Sequence, residues 1–497
     1  MIVLLIILNL YFCNSLTAEI DIIEHTQLLL NKGEFSKVEQ LINEQPTTDL
    51  KNYIKSLYYL YFGSYSVCLE YLSLVKDINL QNKLKPYIEK LVEYKQNFDE
   101  YITEHFILRI NKDEYFLKYY LSEYLDKIYY SLGSIFNYYP QEKIIIEIYP
   151  TKEQFAIAST LGEETLKRSG AIGICKFNRI MITSPKELAF GYRWIDTIAH
   201  EYVHFLINRI TKFNCPLWLH EGIARYHETI WRKNPPDYLS PGDETMLKNA
   251  IKENKLISFS RMEPSLVYLN TQEEVSLAFA EVSSAIDFMS KEYPSKLYEI
   301  LKKLEFYDRD TAFKKTIGLN IKQFEEKFKN YISKIELKQY KGALISKNYF
   351  EKLDELNEFV GVSVRDYVRL GDRFRKANNF DVALIQYKKA QELEPYNPVI
   401  LYRLAKVYNE LKEFELAEKT LKECIDKNSG YVSAYEFLGN FYLEQSKYQQ
   451  AEEILKTALS INPFNPYTHK DLILVYSFLN KEEILKQEIE IFDFLNK

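Results

Sequence analysis

The chain has 497 residues, which is enough for about three domains of ordinary size, each able to bury its own core. Apolar residues make up 46% and charged residues 27%, a globular balance that excludes wholesale disorder. With 64 Lys plus Arg against 70 Asp plus Glu the net charge is −6, and no basic stripe stands out, so no nucleic-acid partner is expected. Aromatics reach 15%, with 41 Tyr spread along the whole chain, so they do not form an aromatic binding box. The five cysteines, at 13, 68, 175, 215 and 424, are odd in number, far apart and without a C-x-x-C pair. Neither a disulfide framework nor a thiolate zinc site is expected.

Met1 to Phe12 is almost wholly apolar, and Thr17-Ala18 places a small residue before Glu19. The run is too short for a membrane span and fits the apolar core of a secretory signal. Residues 1–18 are therefore expected to be a signal peptide or N-terminal anchor. The expectation is an exported protein, secreted or extracytoplasmic, associated with the membrane if this segment is retained. The lack of Lys or Arg at its start leaves a buried first helix as the alternative.

Residues 19–100 read as helical. Gly33-Glu34-Phe35-Ser36 and Gly63-Ser64-Tyr65-Ser66 echo each other 30 residues apart, each after a Leu- or Tyr-rich run. Two readings stand: degenerate helical hairpins, or a chance echo in one helical domain. From Glu104 the texture changes. His105 to Ile110, Lys143 to Tyr149 and two runs between Gly170 and Ser184 are short and β-branched, with helical stretches at about 115–136 and 151–161 between them. Helices alone follow from about residue 191, so 101–335 reads as an α+β domain with its helices grouped after a sheet. A helical connector is expected over 336–364.

The last 130 or so residues carry a repeat that can be checked position by position. Gly371, Ala405 and Gly439 are 34 apart, as are Ala383, Ala417 and Ala451, then Ala390, Cys424 and Ala458, then Phe380, Phe414 and Tyr448. Small residues belong where two helices cross closely, the aromatic is expected to fill the pocket beside them, and Pro395 and Pro463 end the second helix. This pattern resembles the tetratricopeptide repeat (TPR), and about four repeats are expected over 365–497. The fourth unit, from Tyr467, loses the small residues, as a terminal unit facing water would.

The chemistry concentrates at His200-Glu201-Tyr202-Val203-His204, the one H-E-x-x-H in the chain, on a helix predicted from about Tyr192 to Ile210. Residues four apart differ by about 40° around a helix, so both imidazoles project from one face, and two neutral nitrogens can reach one Zn²⁺. Glu201 is rotated from both, toward the position where water binds. A catalytic zinc site needs a third ligand from another element. After Asn214-Cys215, Pro216 can open a second helix at its first position, reading Trp218-Leu219-His220-Glu221-Gly222-Ile223-Ala224-Arg225-Tyr226.

Here the sequence resembles the gluzincin metallopeptidases of the thermolysin-like, MA-type superfamily, which carry H-E-x-x-H on one helix and W-L-x-E-G-x-A-x-Y on the next. The resemblance covers about Phe98 to Lys334 and implies that Glu221 is the third zinc ligand and Glu201 the general base. Gly222 and Ala224 would let the two helices approach closely. In relatives a tyrosine often stands where this chain has Phe279, so no catalytic role is expected there. The resemblance also implies a substrate lying along the edge strand before the active-site helix, for which Arg179 to Thr183 is the matching segment.

Four further residues are candidates for supporting roles. Asp196, one turn before His200, could orient an imidazole or be an exposed helix carboxylate. His220, Tyr226 and His227 are candidates to stabilise the oxyanion. Arg225 could pair with Glu228 or Glu221. The expected fold is thus α+β and mostly helical: a thermolysin-like metallopeptidase domain of small sheet plus helices, followed by an α-solenoid of TPR hairpins. The expected function is hydrolysis of peptide or protein substrates by a zinc peptidase, with a protein partner in the TPR groove. A TPR scaffold with an inactive zinc domain, and a zinc hydrolase for non-peptide amides, are the other readings.

Overall fold

The structure is a computed structural model that describes residues 14–45, 48–266, 269–345, 347–348 and 354–497. The apolar run Met1 to Phe12, on which the export expectation rests, lies outside the described residues. Among those residues no helix is long and apolar enough to cross a membrane.

The N-terminal region is five helices: α1 (Asn14–Asn31), α2 (Phe35–Glu44), α3 (Thr48–Tyr61), α4 (Tyr65–Ser73) and α5 (Ile78–Lys95). Gly33 and Gly63 make the turns between α1 and α2 and between α3 and α4, at φ of +71° and +61°. Only a residue without Cβ takes that left-handed conformation at little cost.

Next comes a five-stranded sheet: β1 (Phe98–Ile102), β2 (Phe106–Asn111), β3 (Ile144–Tyr149), β4 (Gly173–Lys176) and β5 (Arg179–Thr183), in the order β1-β2-β3-β5-β4. The pairs β2–β3 and β3–β5 are parallel, while β1 and β4 close the two edges antiparallel. β1 falls where a helical ending was expected, because Phe98-Asp-Glu-Tyr-Ile102 is a charged edge segment without β-branched density.

Period-two alternation divides the sheet into two unlike faces. Ile144, Ile146, Ile148, Ile180 and Ile182 pack into one core with α6 (Leu117–Phe136) and the later helices. Tyr149 and Met181, on the other face, join the core of α1–α5. That second face also carries three buried charges, Arg109, Glu147 and Arg179. Two short helices, α7 (Lys152–Ser159) and α8 (Glu163–Ser169), link β3 to β4.

After β5 the domain is helical. α9 (Trp194–Thr211) runs under the sheet, and α10 (Leu217–His227) packs against it. Pro216 is the N-cap of α10 rather than its first helical residue, with φ −66° and ψ 145°. Then follow α11 (Pro241–Lys252), α12 (Phe259–Met262), α13 (Gln272–Glu292), α14 (Lys296–Leu304), α15 (Arg309–Ile317) and α16 (Ile321–Ile332). Gly222 lets α10 approach α13: a Cβ there would lie 2.7 Å from Val282 O. Its small size therefore serves that contact, not the approach of α10 to α9.

A short α17 (Glu355–Phe359) leads into four helical hairpins: α18 and α19 (Val362–Lys376, Phe380–Leu393), α20 and α21 (Pro398–Glu410, Phe414–Lys427), α22 and α23 (Val432–Glu444, Tyr448–Leu459), α24 and α25 (Pro466–Phe478, Glu482–Leu495). Ala383, Ala417, Ala451, Ala390, Cys424 and Ala458 are all buried at the crossings. The aromatics at 380, 414 and 448 only border the pocket: Phe380 and Tyr448 are half-buried against the core and Phe414 is 47% exposed. Tyr387, Leu421 and Leu455 fill it, themselves 34 apart and fully buried. At Gly371 a Cβ would lie 2.5 Å from the Tyr387 ring, which explains the glycine.

The last hairpin meets water on one face, with Phe478 57% and Ile489 41% exposed, but another face docks on the preceding domain. Ile491 of α25 is buried in the core of the preceding domain, and the Phe116 ring packs edge-on against Phe464 at 5.2 Å. Gly191 to Trp194, leading into α9, are also bound to the repeats. Tyr192 N–H donates to Ile461 O at 3.0 Å, and Trp194 Nε1 to Leu459 O at 3.3 Å.

Candidate metal centre

α9 and α10 are joined by a short turn, so their polar faces are forced together over the end of the sheet. His200 and His204, one turn apart on α9, point their Nε2 atoms at each other at 3.1 Å. Glu221 on α10 brings Oε2 to 3.6 Å from His200 Nε2 and 3.4 Å from His204 Nε2. A tetrahedral ion at 2.0–2.1 Å from its ligands spaces neighbouring donors by about 3.3 Å. The triangle of 3.1, 3.4 and 3.6 Å is close to one face of that tetrahedron. Three converging lone-pair donors repel unless a cation or protons lie between them, so the donor set fits Zn²⁺.

The surroundings set the chemistry of each group. His200 Nδ1 lies 2.9 Å from Glu228 Oε2, which fixes the tautomer with Nε2 free to face the triangle. Burial opposes charge on His200, but Glu221 and Glu228 outweigh it and push the imidazole up to about 10. Glu221 is held well below the usual carboxylate range because the two imidazoles outweigh its burial. Glu201 is buried, with its carboxylate within 4.8 Å of both imidazole donors. Burial pushes its pKa up, against the pull of His204, His200 and the Cys175 backbone N–H. Gly173 makes room for it, since a Cβ there would lie 2.7 Å from Glu201 Oε1.

The supporting residues are placed differently from the sequence expectation. Asp196 does not reach an imidazole; Arg232 Nε donates to it at 2.8 Å and Trp231 Nε1 at 3.1 Å. Glu228 takes the orienting role, with Arg225 bonded to its other oxygen. Glu228 is the C-cap of α10, two residues beyond Tyr226, and only the fold shows that it reaches back to His200. His227 donates from Nδ1 to Ile223 O at 2.8 Å and packs on Phe136, and burial lowers its pKa to about 4. Tyr226 turns to Tyr238, ring centroids 4.9 Å apart, and to Ser290. Neither lines the cleft above the triangle, where an oxyanion donor would have to stand: His227 is buried and Tyr226 is half-buried against the core. His220 does line it, stacked on the His204 ring at 4.2 Å and bonded to Asn208 Oδ1 at 3.1 Å. Phe279 lies edge-on to His200 at 6.1 Å.

The cleft has a volume of about 1690 Å³ and is walled by all three regions of the chain. β4 borders it, as does α1 through Glu24, Leu28 and Asn31, and the end of α21 and the turn after it contribute Asp426, Ser429 and Gly430. The strand exposed along its rim is β4, not Arg179 to Thr183. The latter is β5, bonded on both sides and buried throughout.

Residues 132–334 match the Peptidase MA superfamily, and residues 399–428 and 432–465 match the tetratricopeptide repeat. Among curated proteins, human RNA polymerase II-associated protein 3 is 28% identical over 122 residues, covering 24% of this chain and 18% of that protein. Small glutamine-rich tetratricopeptide repeat-containing protein 2 of Mycosarcoma maydis is 26% identical, covering 20% of this chain and 29% of that protein. The chain thus spans less than a third of either relative. Among solved structures, the first TPR of Spaghetti (RPAP3) bound to an HSP90 peptide is 25% identical, covering 24% of this chain and 97% of that one, with a TM-score of 0.23. A crystal structure of MamA is 21% identical, covering 27% and 75%, with a TM-score of 0.24. The chain carries a Peptidase MA superfamily domain followed by C-terminal tetratricopeptide repeats.

Proposed function

We propose that this protein is a zinc-dependent peptidase in which His200, His204 and Glu221 hold the metal and Glu201 is the general base. The observation that carries the reading is the triangle of donors, whose sides of 3.1, 3.4 and 3.6 Å suit a tetrahedral ion with a corner left for solvent. Bound there, Zn²⁺ would supply Lewis acidity toward a carbonyl and a water acidified to about neutrality. Glu201 accepts the proton from the attacking water and delivers it to the leaving amine, a task suited to a buried carboxyl of raised pKa. Glu228 keeps the His200 ring in the tautomer that leaves Nε2 as donor. An extended substrate pairs with the rim strand β4, and His220 is the predicted oxyanion candidate that faces it.

The TPR repeats bind a protein partner in their concave groove. The apolar run Met1 to Phe12 supports export. Two assays test the catalytic reading: zinc content per chain, and digestion of casein and a peptide library with Glu201→Gln as control. The expected result is one zinc per chain in both proteins and hydrolysis by the wild type alone. If wild type and Glu201→Gln act alike on every substrate, the peptidase reading fails. Full zinc retention in Glu221→Ala would show that the third ligand lies elsewhere.

A further inference from the structure

The cleft runs along β4, and one of its ends is bridged. Gln272, the first residue of α13, donates from Nε2 to Lys167 O at 3.2 Å and accepts the Asn348 backbone N–H at 3.3 Å. Asn348 donates through Nδ2 to Gly170 O at 2.8 Å. Lys347 is paired with Glu273. Gly170 is fitted to the bridge, since a Cβ there would lie 2.8 Å from Gln272 Oε1. The wall carrying β4 and the wall carrying α13 therefore touch just before the strand begins. Beyond the bridge, Lys167, Arg168, Thr271 and Glu273 line a separate depression of about 260 Å³.

Two independent rulers locate this bridge relative to the reacting centre. On the strand side, Gly170 precedes Gly173, the residue beside Glu201, by three residues, or about 10 Å of extended chain. On the helix side, Gln272 precedes Phe279, the ring facing His200, by seven residues, or about 10 Å of helix. A peptide pairing with β4 advances by the same ~3.3 Å per residue, so about three residues fit between the centre and the bridge. Gly170 O is already taken by Asn348, which ends the row of acceptors that such a peptide could use. In the other direction the lining continues past Lys176 to Lys212 and to Phe213, which is 44% exposed.

We infer that the bond hydrolysed lies within about three residues of one end of the substrate chain, so that the cleft takes peptide termini and short peptides rather than interior segments of long chains. This rests on the peptidase reading above. It is tested on the full-length zinc-loaded protein with peptides of about twelve residues, roughly 40 Å extended, either free or fused at both ends to folded domains. Mass spectrometry of the first products should show losses of one to about three residues from one terminus, with the doubly fused peptide cut at least about ten-fold more slowly. Fluorescence anisotropy on Glu201→Gln reads the same preference without turnover, and the doubly fused peptide should bind at least about ten-fold more weakly. Early internal cuts, or equal binding of the two forms, would overturn the inference. Length-selective binding without hydrolysis by the wild type would sustain the preference of the cleft for termini while sinking the peptidase reading and the placement of the cut, and no binding of either form would sink both. In a Gln272→Ala/Asn348→Ala variant the products should lengthen; an unchanged product ladder would remove the bridge as the cause.

Discussion

Two helical regions flank the Peptidase MA superfamily domain, and their seams differ in what they bury. The N-terminal hairpins share an apolar core with the second face of the sheet, and an ion cluster is buried inside that seam. Glu147 is buried between Arg109 Nη1 at 2.9 Å and Arg179 Nε at 3.0 Å, and also accepts from Tyr65 at 2.5 Å and Tyr149 at 2.8 Å. Arg179 reaches on to Leu60 O at 2.9 Å, at the end of α3. Each hairpin turn presses on a guanidinium: a Cβ at Gly63 would lie 2.2 Å from Arg109 Nη1, and one at Gly33 only 1.4 Å from Arg209 Nη1. The TPR repeats dock through apolar packing and backbone acceptors, with Ile491, Phe464 and Trp194 buried or packed at the seam. Arg193 adds a polar contact, donating to Ser429 O and, at 2.9 Å, to Tyr435.

The two attachments meet on α9. Arg209 ties its C-terminal end to the first hairpin, and Arg193 and Trp194 tie its N-terminal end to the repeats. The helix that carries His200 and His204 is thus held at both ends by regions outside its own domain. A buried ion cluster gains little net stability over apolar residues of the same shape, but it punishes loss of one partner severely. An apolar seam is stabilised in proportion to the area it buries. The N-terminal attachment should therefore be brittle and the C-terminal one graded.

The strongest break of that contrast is Arg179→Ala, which leaves Glu147 underpaired in the interior. We expect a loss of about 3–5 kcal/mol in urea unfolding, largely recovered when the whole cluster is made apolar by Arg109→Met, Glu147→Leu and Arg179→Met. A loss below about 1 kcal/mol would erase the distinction between the two attachments. Next comes Ile491→Ala, a cavity at the TPR seam, expected to cost about 2–4 kcal/mol. Limited proteolysis should then release the repeats before the N-terminal helices. Gly33→Ala is expected to cost about 2 kcal/mol, because the left-handed turn is strained by a Cβ and Arg209 must move. A value near zero in the same unfolding assay would show that the turn does not hold the guanidinium.

The smallest effect sharpens the comparison by removing the arginines. Glu147 has two arginines, and they outweigh its burial to hold its carboxyl below the usual value. Glu281 is equally buried, and burial raises its pKa to about 8 against the pull of the Ile257 N–H at 2.9 Å and of Lys329. A carboxyl with a raised folded pKa contributes stability that is present at acid pH and lost as pH rises through about 8. Glu281→Gln should therefore gain thermal stability relative to wild type between pH 5 and pH 9, by about 2–4 °C at the alkaline end. A constant difference across that range in calorimetry would show that Glu281 does not ionise there.

How far the sequence could be read depends on the range of the physics involved. Helix geometry is local, so the spacing of His200 and His204 determines that both face one way, and the 34-residue register determines the helical hairpins. The β-branched runs located four of the five strands. β1 escaped because an edge strand needs no apolar face. The pocket-filling residues Tyr387, Leu421 and Leu455 also repeat at 34, a register that was legible but masked by the more conspicuous aromatics at 380, 414 and 448.

What the chain alone determined is four of the five strands, the repeat, and the pair of helices that carry the donor groups. Contacts between elements distant in sequence were decided only by the tertiary structure. These are Glu228 rather than Asp196 behind His200, β4 rather than β5 at the rim, Gly222 against α13, and the repeats seated on α9. The physical reason is that periodicity fixes which face a side chain occupies. Which neighbour meets that face depends on the packing of the whole molecule.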